Sequence, residues 1–215
     1  MCVRFSLKWW ALEVLISISG LLPNPELETS VLSICLTIST LHFTISYGVG
    51  AAASTRVSNE LGAGNPQRAR IAVCMSILLA ITEGLIVSLM VFSCRQFLGK
   101  VYSNEKPVVS YVASMAPFIS LSIITESLQA VIYGIAKGSE WQHIGAYVNL
   151  GAFYLFGIRA AVVLGFPLHM RAKGFWIGIV IGSVNLSIGL LVITGRTDWE
   201  NKQIRRRNES QKRHP

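Results

Sequence analysis

The sequence predicts an all-α fold of membrane-spanning helices, and three features predict it. The chain is short of charge: 14% of its 215 residues are charged and 52% are hydrophobic, where soluble domains carry about 25% charged residues. Its mean hydropathy is +0.51, and the apolar residues come in uncharged runs at 29–55, 108–125 and 174–195. Each run reaches the ~18 residues that read as a transmembrane helix. No segment alternates with the period of two that a barrel strand requires, so helices are the spanning element.

Six segments follow, at about 3–22, 29–54, 71–94, 107–136, 144–170 and 174–195. The first has Arg4 and Lys8 ahead of an apolar run that Glu13 interrupts. It reads as a weak span or the remnant of a longer one, since a charge at a helix centre costs ~2.5–3.5 kcal/mol on insertion scales. The second is set off by "LPNPE", with prolines on both sides of Asn24. "GAGNPQ" ends it and starts the third, Pro66 taking the first helical position after Asn65 as the cap. "YSNEKP" and "HMRAKG" mark the remaining breaks. In the last segment Gly174, Gly178 and Gly182 fall four apart, a small-residue stripe suited to close helix packing inside the bundle. "LGAGNPQRA" has neither a preceding strand nor a Lys-Ser/Thr after its glycines, and reads as a turn rather than a nucleotide loop.

The net charge of +8 is largely local, because seven of the 19 Lys and Arg lie from Arg196 onward. A basic tail over 196–215, directly after a membrane helix, is a cytoplasmic topology signal that also favours anionic lipid over nucleic acid. Six spans then put both termini in the cytoplasm. Eleven basic residues fall on the inner side and five on the outer, namely Arg95, Lys100, Lys106, Arg171 and Lys173. Two sequons, at Asn185 and Asn208, carry no sugar under this topology. The four cysteines, Cys2, Cys35, Cys74 and Cys94, show no CxxC spacing or Cys/His cluster and suggest neither disulfide framework nor metal site. HExxH, Gly-x-Ser-x-Gly and paired membrane aspartates are missing from the sequence, which does not read as an enzyme.

Polar groups at membrane depth are expensive and are functional candidates by default. Glu126 is the only charge between Pro107 and Ala136. Helical spacing places Ser122, Glu126, Gln129 and Tyr133 on one face, and two readings of Glu126 stand. It is a carboxylate in a water-filled cavity whose raised pKa lets it bind and release a proton, or a protonated glutamate hydrogen-bonded to a neighbouring helix. Glu83 is a second buried acid, read as structural beside Thr82 or a loop base. Asn149 and Tyr154 suit either a cavity lining or an inter-helix hydrogen bond, and His42 reads as a packed polar group.

The stretches "LLPNPELETSVLSICLTISTLHFTISYGVGAAASTRVSNELGAGNPQRAR", "GSEWQHIGAYVNLGAFYLFGI" and "KGFWIGIVIGS" closely resemble the plant branch of the MATE family, the multidrug and toxic compound extrusion or DETOXIFICATION transporters. The resemblance runs from about Trp9 to Trp199. It implies the C-terminal six-helix lobe of a twelve-helix antiporter that exports small organic molecules in exchange for protons or sodium, with no other cofactor. It also implies residence in the vacuolar or plasma membrane. A lone lobe has no second bundle to move against, so either the product is longer upstream, or it pairs with another MATE chain, or it is inactive.

The resemblance further implies that Glu126 is the cation-coupling carboxylate; the polar face of its helix and the segment around Asn149 make Gln129, Tyr133 and Asn149 candidate cavity or substrate residues. Its family partner is an acid in Leu-Glu-Trp-Trp, but this chain reads "LKWW" and places Lys8 there. A lysine beside Glu126 favours the ionised carboxylate and a static ion pair. Glu13 is a poor substitute, standing about 140° around the helix from Lys8. Ser46 and Arg159 occupy positions where the family usually has proline. The first removes a helix distortion, and the second adds a charge at membrane depth.

Overall fold

The computed structural model describes residues 10, 13–14, 16–201 and 204. Most of the first predicted segment, including Arg4 and Lys8, and most of the tail therefore lie outside the described residues. The rest is helical: α1 (Pro25–Gly62), α2 (Pro66–Ser93), α3 (Arg95–Tyr102), α4 (Lys106–Gly138), α5 (Gln142–Leu150), a π-helical stretch (Gly151–Gly157), α6 (Ile158–Gly165) and α7 (Arg171–Gly195). α5, the π stretch and α6 run on as one rod, of which His143–Gly165 is long and apolar enough to span. With α1, α2, α4 and α7 this makes five candidate spans among the described residues.

α1 is longer than its apolar run predicts. Pro25 occupies its first turn, after Asn24 in the left-handed region at φ 64°. At the other end Val57 and Leu61 continue the buried face four residues apart through an otherwise polar sequence. Asn65 does stand at the N-cap of α2, but its side chain makes no capping bond. Its backbone carbonyl accepts from Ala69 N–H at 3.1 Å instead.

Two further features differ from the sequence reading. α3 is an extra short helix within the predicted outer loop, its Gly99 seated against Val109. The fifth span stops at Gly165 rather than near 170, because Pro167 follows and the chain must reverse. That turn is closed by Leu168 N–H on Val163 O and Met170 N–H on Leu164 O.

α4 is the central rod, packed against α1, α2 and α7. Its crossing with α1 is close because glycines meet there: a Cβ on Gly134 would strike Gly50 O, and one on Gly138 would sit 2.5 Å from Ser54 O. The predicted stripe on α7 also packs inside the bundle. Gly174 meets Leu164 and Gly165, Gly178 meets Ala161, and Gly182 meets Phe153 and Gly157. The start of the tail is docked too, with Trp199 buried against Val57, Leu61, Ala69 and Val73.

Candidate functional site

Four polar groupings lie along α4. At its N-terminal end Glu28, fully buried in the first turn of α1, gathers three helix starts. Its Oε2 accepts from the Tyr111 hydroxyl at 2.8 Å and from Ala172 N–H at 3.0 Å. Arg171 Nη1 stands 3.8 Å from Oε1, and Lys173 Nζ lies 5.7 Å from the centre of the Tyr111 ring. The carboxylate thus caps the first turn of α7, where helix N–H groups lack partners. Sequence reading missed Glu28 by treating it as loop. The signal was there: Glu28, Val31, Leu32 and Cys35 follow the i, i+3, i+4, i+7 spacing of a buried face.

Near the middle of α4 the predicted stripe divides its partners. Ser122 Oγ accepts from Trp176 Nε1 at 3.0 Å, and Gln129 Nε2 donates to Ser183 O at 3.0 Å and Ser187 Oγ at 3.3 Å. Both side chains tie α4 to α7. Glu126 lies between them in sequence, 5% exposed. Its expected partner Lys8 lies outside the described residues.

One turn further on, the Tyr133 hydroxyl faces the Asn149 side chain of α5. Neither that hydroxyl nor Asn149 Oδ1 completes a hydrogen bond of ordinary geometry among the described residues. Tyr154, by contrast, points outward from the π stretch, and Arg159 is exposed on α6 rather than tied into the bundle.

The fourth grouping joins α1, α2 and α4. Glu83 finds its partner in His42, not in Thr82, whose hydroxyl donates to backbone carbonyls of Leu78 and Leu79. His42 Nε2 lies 3.0 Å from Glu83 Oε1, while Ser127 Oγ and Ser46 Oγ donate to Oε2 at 2.7 and 3.2 Å. Among the described residues no group of three or more His, Cys, Asp or Glu side chains is placed to hold a metal ion.

What this arrangement offers is buried carboxylates with hydroxyl, imidazole and amide partners in a helical bundle, suited to holding protons or small cations. Comparison with known proteins gives it a context. The MatE family model matches residues 1–163. Protein DETOXIFICATION 12 of Arabidopsis thaliana is 51% identical over 94% of this chain and 42% of its own length. Protein DETOXIFICATION 13 of the same plant is 50% identical over the same shares. The chain therefore spans less than half the length of these relatives.

The crystal structure of the eukaryotic MATE transporter AtDTX14 superposes with a TM-score of 0.92 at 47% identity, over 96% of this chain and 46% of that one. A crystal structure of a MATE protein in the bent conformation shares the fold at a TM-score of 0.76 and 15% identity, over 92% and 43%. Helices, packing and sequence agree with one half of these transporters, and the chain belongs to the MatE family.

Proposed function

We propose that this chain is the C-terminal lobe of a secondary transporter, exporting small organic molecules in exchange for protons or sodium, with Glu126 as the coupling carboxylate. The observation that supports this reading is the burial of Glu126 to 5% exposure, in a lobe that superposes on half of a MATE transporter. An acidic side chain at membrane depth is costly and is kept there for a function, which suits a cation-coupling group. Tyr133 and Asn149 line the substrate side of the lobe, and Gln129 holds α4 against α7 beside it. The transmembrane lobe covers 1–195 and the basic tail 196–215, with both termini cytoplasmic in a vacuolar or plasma membrane. Membrane lipid and a second MATE lobe are the partners. The chain is a carrier and not an enzyme.

Lys8 pairs with Glu126 in this reading and holds it ionised, which uncouples the lobe. The test is gradient-driven uptake of an organic cation dye into proteoliposomes, with the chain joined to an N-terminal lobe from a relative. Lys8→Glu should raise the initial rate by about tenfold, corresponding to ~1.4 kcal/mol. In the Lys8→Glu background, Glu126→Gln should abolish the response to the gradient. An unchanged rate in the first variant sinks the Lys8 pairing, and undiminished coupling in the second sinks the role of Glu126.

A second reading, a non-transporting subunit of a full-length MATE chain, is favoured by Lys8, Ser46 and Arg159, which stand where the family usually has a glutamate and two prolines. Co-purification of the tagged chain with a longer MATE protein, and no uptake by the chain alone, would select it.

A further inference from the structure

We propose that His42, Glu83, Ser46 and Ser127 form a second proton-binding site, holding one exchangeable proton where α1, α2 and α4 meet, separate from Glu126. His42 is 4% exposed, Ser46 1% and Ser127 0%, while the Glu83 side chain is 18% exposed. The four contact one another, and Ser127 Oγ also has Ile123 O as an acceptor at 3.1 Å. His42 Nε2 reaches Glu83 Oε1 at 3.0 Å, Ser127 Oγ at 3.1 Å and Ser46 Oγ at 3.3 Å. The two hydroxyls lie 3.3 Å apart, and both donate to Glu83 Oε2. The assembly depends on Gly84: a Cβ there would stand 2.9 Å from Ser127 Oγ, so any larger residue would hold α4 away from the carboxylate.

The hydrogen count makes the site two-valued. With Glu83 ionised, three donors satisfy the carboxylate: the hydroxyls of Ser46 and Ser127 on Oε2, and His42 Nε2–H on Oε1. The imidazole is then neutral and its buried Nδ1 is a lone pair without a hydrogen-bond partner among the described residues. The cluster carries one negative charge at membrane depth, an unfavourable state. Adding one proton cancels that charge, and in the two forms that place it across the His42–Glu83 contact it puts a hydrogen on Nδ1. In one, the imidazole becomes imidazolium beside carboxylate. In the other, Glu83 becomes the acid and donates to Nε2, so that the neutral imidazole carries its hydrogen on Nδ1. Nδ1–H is a buried donor with no acceptor among the described residues, which is unfavourable in its turn. Each state thus has a single defect, and the proton trades one for the other.

Among the described residues one other titratable group stands beside the cluster. The cluster is faced from α1 by His42, from α2 by Glu83 and from α4 by Ser127, with Glu126 the adjacent titratable residue. The remaining charged residues of these helices, Glu26, Glu28, Arg56, Glu60, Arg68, Arg70, Lys106 and Lys137, stand ten or more residues along their helices from a cluster residue, about 15 Å or more. α7 carries no charge between Gly174 and Gly195. Ser46, one of the two hydroxyls, stands where the resemblance leads one to expect proline, so this form of the site belongs to this chain.

The test is infrared spectroscopy of the full chain in lipid nanodiscs, following the protonated-carboxyl stretch between about pH 5 and pH 9. Wild type should show a titrating carboxyl or imidazolium signal that disappears in Glu83→Gln, moves by at least about one pH unit in His42→Gln, and survives in Glu126→Gln. A signal lost only in Glu126→Gln overturns the proposal. Nitrogen-15 spectra of the unaltered chain decide the case even where a variant fails to fold. A His42 ring whose protonation changes across that range supports the site, and one fixed in a single state throughout makes the pair static and overturns it.

Discussion

Glu28 is the residue on which the N-terminal end of the bundle turns. It has no exposure, accepts from Tyr111 and from Ala172 N–H, and has Arg171 near its other oxygen. Removing one member of a buried charged cluster leaves the others unsatisfied and costs ~3–5 kcal/mol. Glu28→Ala should therefore lower stability by about that much in urea titration of the detergent-solubilised chain. Tyr111→Phe should cost ~1.5–3 kcal/mol, the worth of one hydrogen bond to a charged group. The double variant should fall well short of the sum, because both changes remove the same contact. Additive losses would show that Glu28 and Tyr111 act separately.

Among the elements, the fold is decided at two glycine-lined crossings. Gly50, Gly134 and Gly138 bring α1 and α4 into backbone contact, and Gly174, Gly178 and Gly182 do the same for α7 against α6 and the π stretch. In lipid there is no hydrophobic drive between helices, so close van der Waals packing carries their association. Overpacking in a filled interior costs ~1–3 kcal/mol or more. Gly134→Val should reach the upper end of that range, since its new Cβ would meet the Gly50 backbone rather than a movable side chain. Gly48→Ala, with nothing near its Cβ, should be neutral or slightly stabilising. Thermal unfolding of the two variants side by side separates packing from propensity; equal Tm values would refute the crossing as the cause.

At the scale of the whole molecule, the helix starts gathered by Glu28 fix the relative direction of three spans: α1, α4 and α7 all begin at the same end. Placing the basic tail in the cytoplasm puts that end outside. Asn185 lies within α7, its Nδ2 donating to Ile181 O at 2.9 Å, and should remain unglycosylated in any orientation. Asn208 should likewise carry no sugar in membranes from a secretory host. A mass increase removed by an endoglycosidase and lost in Asn208→Gln would invert the topology.

The sequence by itself determined that the chain is a bundle of membrane helices, roughly where the described ones begin, and to which family it belongs. Those properties are local: uncharged runs, prolines at Pro25 and Pro66, and a long specific motif. Glu126 was also visible, as a single charge in an apolar helix, and it is indeed buried. The tertiary structure decided the partners. Glu83 and His42 stand 41 residues apart in the chain, and Glu28 and Ala172 stand 144 apart. Helical periodicity says which face a side chain occupies, but not which helix will lie against that face. The early stop of the fifth span is local by contrast: Pro167 follows, and the turn is closed by Leu168 N–H on Val163 O and Met170 N–H on Leu164 O. Sequence pattern sets what must be buried, and the crossing of helices sets what it is buried against.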